Sequence, residues 1–373
     1  MIKNIPLFKP NYDVNACLNE IKECLEKGWT GIGYKTELFE SAFGEYIENE
    51  YCHFVNSNTN GIHLLLEVLK IQNGWDATSE IISSPMTFVS ANHSILHSNL
   101  ILKLADVDES LNINPNNLKK LINKNTKAIV FVSIGGNSKN LLDIYKICKE
   151  NSIILIHDCA HSTGSNYLKV NLSKYADYSI YSFQAVKNLP TADSGMVCFK
   201  NDKELALAKK LSWCGINKDT YNRNQDGYKW LYDVEYIGFK YHGNSIMAAI
   251  GLAQLNKIQN DNFIRREIVK KYKNGLKKNV NIKIINHDNE DESSRHLFQL
   301  IVKDRDKLIN FLAEKNIGTG VHYRSNTRYS MYKNNECPFA EEMDQKIISL
   351  PLFTTLTEDE IEYIVDKIVS FYS

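Results

Sequence analysis

Between Glu80 and Asp158 the chain alternates short β-rich runs with helical stretches: EIISSP, Phe88 to Leu96, LILKLADV, Asn116 to Lys124, AIVFVSI, LLDIYKICKE and SIILIHD. Strands separated by a helix's length of chain pair in parallel, because a tight turn can join only antiparallel neighbours. The pattern therefore predicts a mostly parallel α/β sheet with crossover helices. Ligands of such sheets gather outside the carboxyl ends of the strands. Asp158 closes ILIHD and is followed by CAHSTG, so its carboxylate is expected on that rim.

Ahead of this block, Val14, Leu18, Ile21 and Leu25 fall at helical spacing, GWTGIGYKT breaks the pattern, and a second helix is expected from about Leu38 to Glu48. The short strand CHFVN then leads through Ser57-Asn58-Thr59-Asn60-Gly61 into a helix with Ile62, Leu65, Leu66 and Leu69 on one face. Free N–H groups at a helix start, the positive end of its dipole and the Thr59 hydroxyl would make a phosphate cradle. Plain capping by Asn58 or Thr59 explains the same residues equally well.

From Tyr175 to Phe199, two β-rich runs, DYSIYSF and GMVCF, flank a connection that carries Lys187 between Ser182 and Gly195. A lysine in a loop is ordinarily just solvated. Here the chain also offers the other parts of a pyridoxal phosphate (PLP) site. Lys187 is an amine for the aldehyde, Asp158 a carboxylate for the pyridine nitrogen, Thr59 and Ser182 hydroxyls for the phosphate, and Phe88 an aromatic ring to stack on the cofactor.

Lysine plus arginine and aspartate plus glutamate are balanced at 44 each. No net field then draws the chain to nucleic acid or to an anionic membrane. The 8 cysteines have no CxxC pair and no metal-ligand spacing, so reduced, mostly buried thiols and no bound metal are expected. The opening MIKNIPLFKPNYD has no hydrophobic signal core and no apolar run is long enough to span a bilayer, which makes a cytoplasmic protein the expectation.

The motifs IPLFKP, GWTGIG, ELFESAFGEYI, SNTNGIHLLL, PMTFVSAN, ADVDESLNINP, HDCAHSTGS, YSFQAVKNLPTADSGMV, GFKYHGNSIMAAIGLAQL, NIGTGVHYRS and SLPLFTTLTEDEIE cover nearly the whole chain. As a set they resemble the DegT/DnrJ/EryC1/StrS family of PLP-dependent nucleotide-sugar aminotransferases. The resemblance implies an aspartate-aminotransferase-like fold (PLP fold type I), with a large PLP-binding domain over residues 1–244 and a small C-terminal α+β domain over 245–373. It matches Lys187 to the lysine that links to PLP, Asp158 to the partner of the pyridine nitrogen, and His161 to the Gln-or-His near the ring. Thr59, beside Asn58, and Ser182 match phosphate ligands, and Phe88 the stacking aromatic. His242 matches a residue that reaches the phosphate of a neighbouring subunit, which implies a homodimer with shared sites. His322, Tyr323 and Arg324 resemble a substrate-side segment. The chain departs from the family at Asn58, where glycine is usual, at Gln184 and Ser133, where histidine is usual, and in ADSG.

By the same resemblance the reaction is transfer of an amino group, with L-glutamate as donor, to a keto sugar linked to a nucleotide diphosphate, for surface glycan or polysaccharide biosynthesis. Lys187 would carry the proton between the donor and the cofactor. A sugar dehydratase of the same family is disfavoured, because those relatives carry histidine where Lys187 stands. A regulatory protein that senses PLP or a sugar nucleotide remains as an alternative. A dehydrogenase is disfavoured by the absence of GxGxxG after the first strand. Two further expectations concern the C-terminal half: the aromatic stretch with Trp213, Tyr221, Trp230 and Tyr232 either stacks on a nucleotide base or packs a subunit interface, with the interface favoured, and HLFQLIV, RDKLINFLAEK, TGVHYR and EIEYIVDKIVSFY read as strand, helix, strand and helix.

Overall fold

A computed structural model of the chain describes residues 4–217, 232–332 and 335–373. Its helices α1 (Val14–Glu26) and α2 (Tyr34–Ile47) precede strand β1 (Cys52–Val55) and helix α3 (Asn58–Asn73). Then come β2 (Glu80–Ser83), α4 (Val89–His97), β3 (Ile101–Leu104), α5 (Pro115–Leu121), β4 (Thr126–Val132), α6 (Leu141–Glu150) and β5 (Ile154–Asp158). A small hairpin, β6 (Asn166–Tyr167) and β7 (Val170–Asn171), leads to β8 (Tyr178–Ser182), β9 (Gly195–Cys198) and α7 (Asp202–Ser212).

Among the described residues the main sheet has the order β1-β9-β8-β5-β4-β2-β3. Strand β9 alone runs against its neighbours, β1 and β8; the other pairs are parallel. The chain leaves the carboxyl end of β8 at Ser182, loops through Lys187 and returns as β9 from Gly195. That reversal keeps the lysine at the rim where β1, β2, β4 and β5 also end.

Consecutive residues of a strand point to opposite faces, and buried parallel strands feed two cores. Ile81, Val130 and Ile156 pack with Ile62, Leu65, Leu66 and Leu69 on one side. Their chain neighbours Ile82, Ile129 and Leu155 pack with Leu118, Leu141 and Ile144 on the other. Leu64 and Val68 are also fully buried, because α4 and α7 both lie on α3. Helix α3 is therefore enclosed beyond the single face its spacing suggests.

A second, antiparallel sheet has the order β10-β11-β12, from Ile282–Ile284, Phe298–Val302 and Ile347–Leu350. Phe298, Leu300, Ile348 and Leu350 share a core with Tyr272, Leu308, Leu312, Ile361 and Ile364 from the helices around it. Ile5 joins this core, and its backbone bonds Asn316 O and Gly318 N. The expected strand TGVHYR is corrected: only Gly320 bridges to Ser349, and the third strand comes from the buried run IISL. Beyond Gly320 the chain turns, with His322 Nδ1 bonded to Ser349 Oγ and the Tyr323 hydroxyl to His161 Nε2.

Helix Ser245–Leu255 packs on α1 and α2, and the chain reaches the second sheet only through the next helix, Ile258–Leu276. On α1 it is Cys17 and Cys24 that face inward, while Val14 (61%), Leu18 (58%) and Leu25 (61%) are exposed. All eight cysteines are free and all but Cys214 are buried. No helix among the described residues is long and apolar enough to cross a membrane.

Candidate active site

The turn after β1 is capped by Ser57, whose Oγ accepts from Asn60 N–H at 3.1 Å. Neither Asn58 nor Thr59 caps the helix, and no side chain among the described residues takes the N–H of either. Gly195 lets this turn lie close: a Cβ there would meet Asn58 N at 2.8 Å and Tyr181 O at 2.7 Å. The start of a long helix, the Thr59 hydroxyl and the buried Ser182 at the end of β8 thus meet around Gly195, groups of the kind that can hold a phosphate.

Asp158 ends β5 and is 4% exposed. Its Oδ1 accepts from Asn58 Nδ2 at 3.1 Å and from Ala160 N–H at 3.0 Å, while Oδ2 has no hydrogen-bond partner among the described residues. Burial pushes this carboxyl up, against the pull of Ala160, Asn58 and Lys187. A carboxylate kept in a dry place by fixed donors is suited to face a protonated ring nitrogen.

Lys187 is half-buried on its turn. Burial lowers its amine to about 8, opposed by the attraction of Asp158. The turn is held firmly. Lys187 N–H bonds Gln184 O at 2.8 Å, and the next residue, Asn188, donates to Asn262 Oδ1 and Ser294 O, each at 2.7 Å. Asn188 Oδ1 then accepts from His296 Nδ1 at 2.9 Å.

Around the amine stands an aromatic wall. The His296 ring is 4.4 Å from that of His161, which lies 5.9 Å from Tyr323 in a stacked arrangement; Tyr323 is 6.3 Å from Phe88. Phe8, from the N-terminal segment, stacks on His296 at 5.7 Å and meets His322 edge-on at 5.5 Å. Burial, and then the charge of Lys187, holds His161 well below the usual histidine range and His322 at about 4. His296 is held well below that range by burial, by His161 and by Lys187. The wall is neutral, so the lysine meets no second cation from these rings.

The residues expected from the sequence are thus brought to one rim in the case of Asn58, Thr59, Asp158, His161, Ser182, Lys187 and Tyr323. Phe88 stands there with 60% of its surface open. His322 contributes its ring beside Tyr323, 5.1 Å away, and bonds Ser349 Oγ at 3.0 Å. Arg324 is exposed and lies over Tyr329 at 5.4 Å. His242 bridges to Val55 at the end of β1 and packs on Trp213 at 4.5 Å. Ser133 does not face the cleft: it is fully buried and shares a 2.7 Å bond with His157. Tyr221 and Trp230 lie outside the described residues. Phe8, Asn188 and His296 escaped the sequence reading, and only the position of Asn188 next to Lys187 hinted at a role.

A cavity of 260 Å³ between α2 and α7 is separate from this cleft. Its Glu40 and Lys209 already pair with each other at 3.4 Å, and its lining holds none of the rim residues. Chemistry, rather than concavity, selects the lysine cleft. The cradle, the amine with a lowered pKa and the carboxylate with one free oxygen fit PLP.

A family model described as the DegT/DnrJ/EryC1/StrS aminotransferase family matches residues 11–369. The spore coat polysaccharide biosynthesis protein SpsC of Bacillus subtilis (strain 168) is 30% identical, over 94% of this chain and 93% of that protein. Among solved structures, Helicobacter pylori PseC, an aminotransferase involved in pseudoaminic acid biosynthesis, superposes with a TM-score of 0.91 at 26% identity, covering 99% of both chains. The PLP form of Spr1654, a sugar aminotransferase assignment from Streptococcus pneumoniae, has a TM-score of 0.90 at 27% identity, also covering 99% of both chains.

Proposed function

This chain belongs to the DegT/DnrJ/EryC1/StrS aminotransferase family, and on that premise we propose that it moves an amino group from L-glutamate to a keto-deoxysugar carried on a nucleotide diphosphate, using PLP. Aminotransferases of this family depend on PLP. One observation carries the reading at residue level: Lys187, its amine lowered to about 8, shares a rim and an electrostatic interaction with the buried Asp158.

In this reading Thr59, Ser182 and the N–H groups opening α3 hold the phosphate, Asp158 keeps the ring nitrogen protonated, and Phe88 covers one face of the ring. PLP, when bound, supplies the electron sink that lets a C–H bond beside the amino group ionise. Lys187 Nζ takes that proton from the donor's α-carbon and returns it on the other side of the transfer. The amine must be neutral to do so, and desolvation favours that form. Asn188 and its partners fix the direction from which Nζ approaches. His322, Tyr323 and the exposed Arg324 stand on the side where the sugar would enter.

Two-fold assembly completes the proposal. The exposed Val14, Leu18 and Leu25 form an apolar stripe on α1, which supports a homodimer, with His242 of the partner subunit reaching the phosphate. Polysaccharide or surface-glycan biosynthesis in the cytoplasm is the setting that this chemistry suits, in line with the name of SpsC.

The test is the absorption spectrum of the purified protein with PLP, before and after L-glutamate alone, followed by a screen of keto-sugar nucleotides. Conversion of bound PLP to pyridoxamine phosphate with release of 2-oxoglutarate is expected. Bound PLP that ignores glutamate would reject this donor, and no covalent attachment at Lys187 would reject the site.

A further inference from the structure

The hydrogen-bond polarity of the wall beside Lys187 follows from one backbone group. Gly135 N–H, which can only donate, points at His161 Nδ1 from 3.3 Å. Nδ1 must therefore hold a lone pair, and a neutral ring carries its proton on Nε2. Nε2 lies 3.0 Å from the Tyr323 hydroxyl. With the ring proton directed at it, the Tyr323 oxygen accepts, and its own hydrogen has to turn elsewhere. No acceptor for that hydrogen exists among the described residues.

The backbone that sets this direction is itself held, with Gly135 O accepting from His296 N–H at 3.0 Å. Gly135 and Gly136 have φ of +64° and +92°, the left-handed region that side chains rarely adopt. A Cβ on Gly136 would strike Ser294 Oγ. On the other side, Tyr323 faces Phe88, whose surface is largely open. Burial and the charge of Asp158 push the Tyr323 hydroxyl up, so it keeps its proton.

We propose that Tyr323 serves the cleft as a hydrogen-bond donor to an oxygen that bears no hydrogen, either a carboxylate oxygen of the amino donor or the keto oxygen of the acceptor sugar. His161 is the positioning residue that fixes this polarity. The choice of ligand rests on the transamination reading; the polarity itself does not.

Nitrogen-15 NMR of the histidine rings in cofactor-free protein reads the polarity directly, with the His161 signal assigned by its loss in His161→Gln. A protonated Nε2 and bare Nδ1 are expected, and a protonated Nδ1 overturns the proposal. In PLP-loaded protein, Tyr323→Phe is then compared with wild type in single turnovers. A rise of roughly tenfold or more in the glutamate dissociation constant assigns the carboxylate; a slowing of that size confined to the sugar acceptor found in the screen assigns the keto oxygen. Unchanged behaviour in both steps overturns the proposal. His161→Gln can accept from Gly135 and donate to Tyr323, so it is expected to recover what His161→Leu loses; equal losses overturn the positioning role. Wild-type protein that fails to take PLP through Lys187 would sink the transamination reading and leave the NMR result standing.

Discussion

Asn58 Nδ2 donates to Asp158 Oδ1 over 3.1 Å, joining two residues 100 positions apart in the chain. One bond thereby ties the turn after β1 to the end of β5. Asn58→Ala removes it and leaves Ala160 N–H as the remaining donor to Oδ1. A hydrogen bond to a charged carboxylate contributes about 1.5–3 kcal/mol net, so PLP affinity is expected to fall by roughly tenfold or more. Absorbance titration of the cofactor-free variant checks this; wild-type affinity would mean that Ala160 alone suffices.

The Lys187 amine, lowered to about 8 by burial, makes capture of PLP pH-dependent. The neutral amine is the nucleophile, so below the pKa the reactive fraction falls by about tenfold per pH unit, and above it the fraction saturates. Stopped-flow capture rates should therefore climb with pH and level off with a midpoint near 8. A midpoint at the ordinary lysine value of 10.5 would show the amine to be solvated.

Gly195→Ala places a methyl group against Asn58 N and Tyr181 O, and both are backbone atoms that cannot swing aside. Overpacking of this kind costs about 1–3 kcal/mol. The turn after β1 should also be pushed outward. Lower thermal stability together with weaker binding of pyridoxal phosphate is the expected result, measured by calorimetry and titration. Full stability with unchanged affinity would show that β9 can shift away from α3.

Leu18→Glu combined with Leu25→Glu tests the apolar stripe of α1. Both side chains are more than half exposed in the single chain, so a change of about 0.5 kcal/mol or less in monomer stability is expected. Association should suffer far more, because charges would be buried at the proposed interface. Light scattering across a dilution series should show a monomer where wild type is a dimer; an unaltered dimer would place the interface elsewhere.

Much of the rim was legible because it depends on local order. The run SIILIHD had to end as a strand, and Asp158 with it; the two β-rich segments around Lys187 had to reverse there. The chain's resemblance to its family then assigned roles to these positions. Less legible were features with two equivalent local solutions. Asn58, Thr59 and Ser57 are all good caps, and the structure chose Ser57. TGVHYR and IISLP both suit a strand, and the second sheet took the one whose four residues are all buried.

The sequence by itself determined the α/β class, the order of elements and the chemistry available at each strand end, since periodicity and turn residues act over a few positions. Tertiary packing alone decided which stripe of α1 faces out, that Ser133 is turned to His157, and that Phe8, His161, His296 and Tyr323 meet beside Lys187. The contacts of this last group span more than a hundred residues, as in the bond from His161 to Tyr323, 162 positions apart. No local pattern encodes such a meeting, because it follows from how two sheets and their helices fill space together.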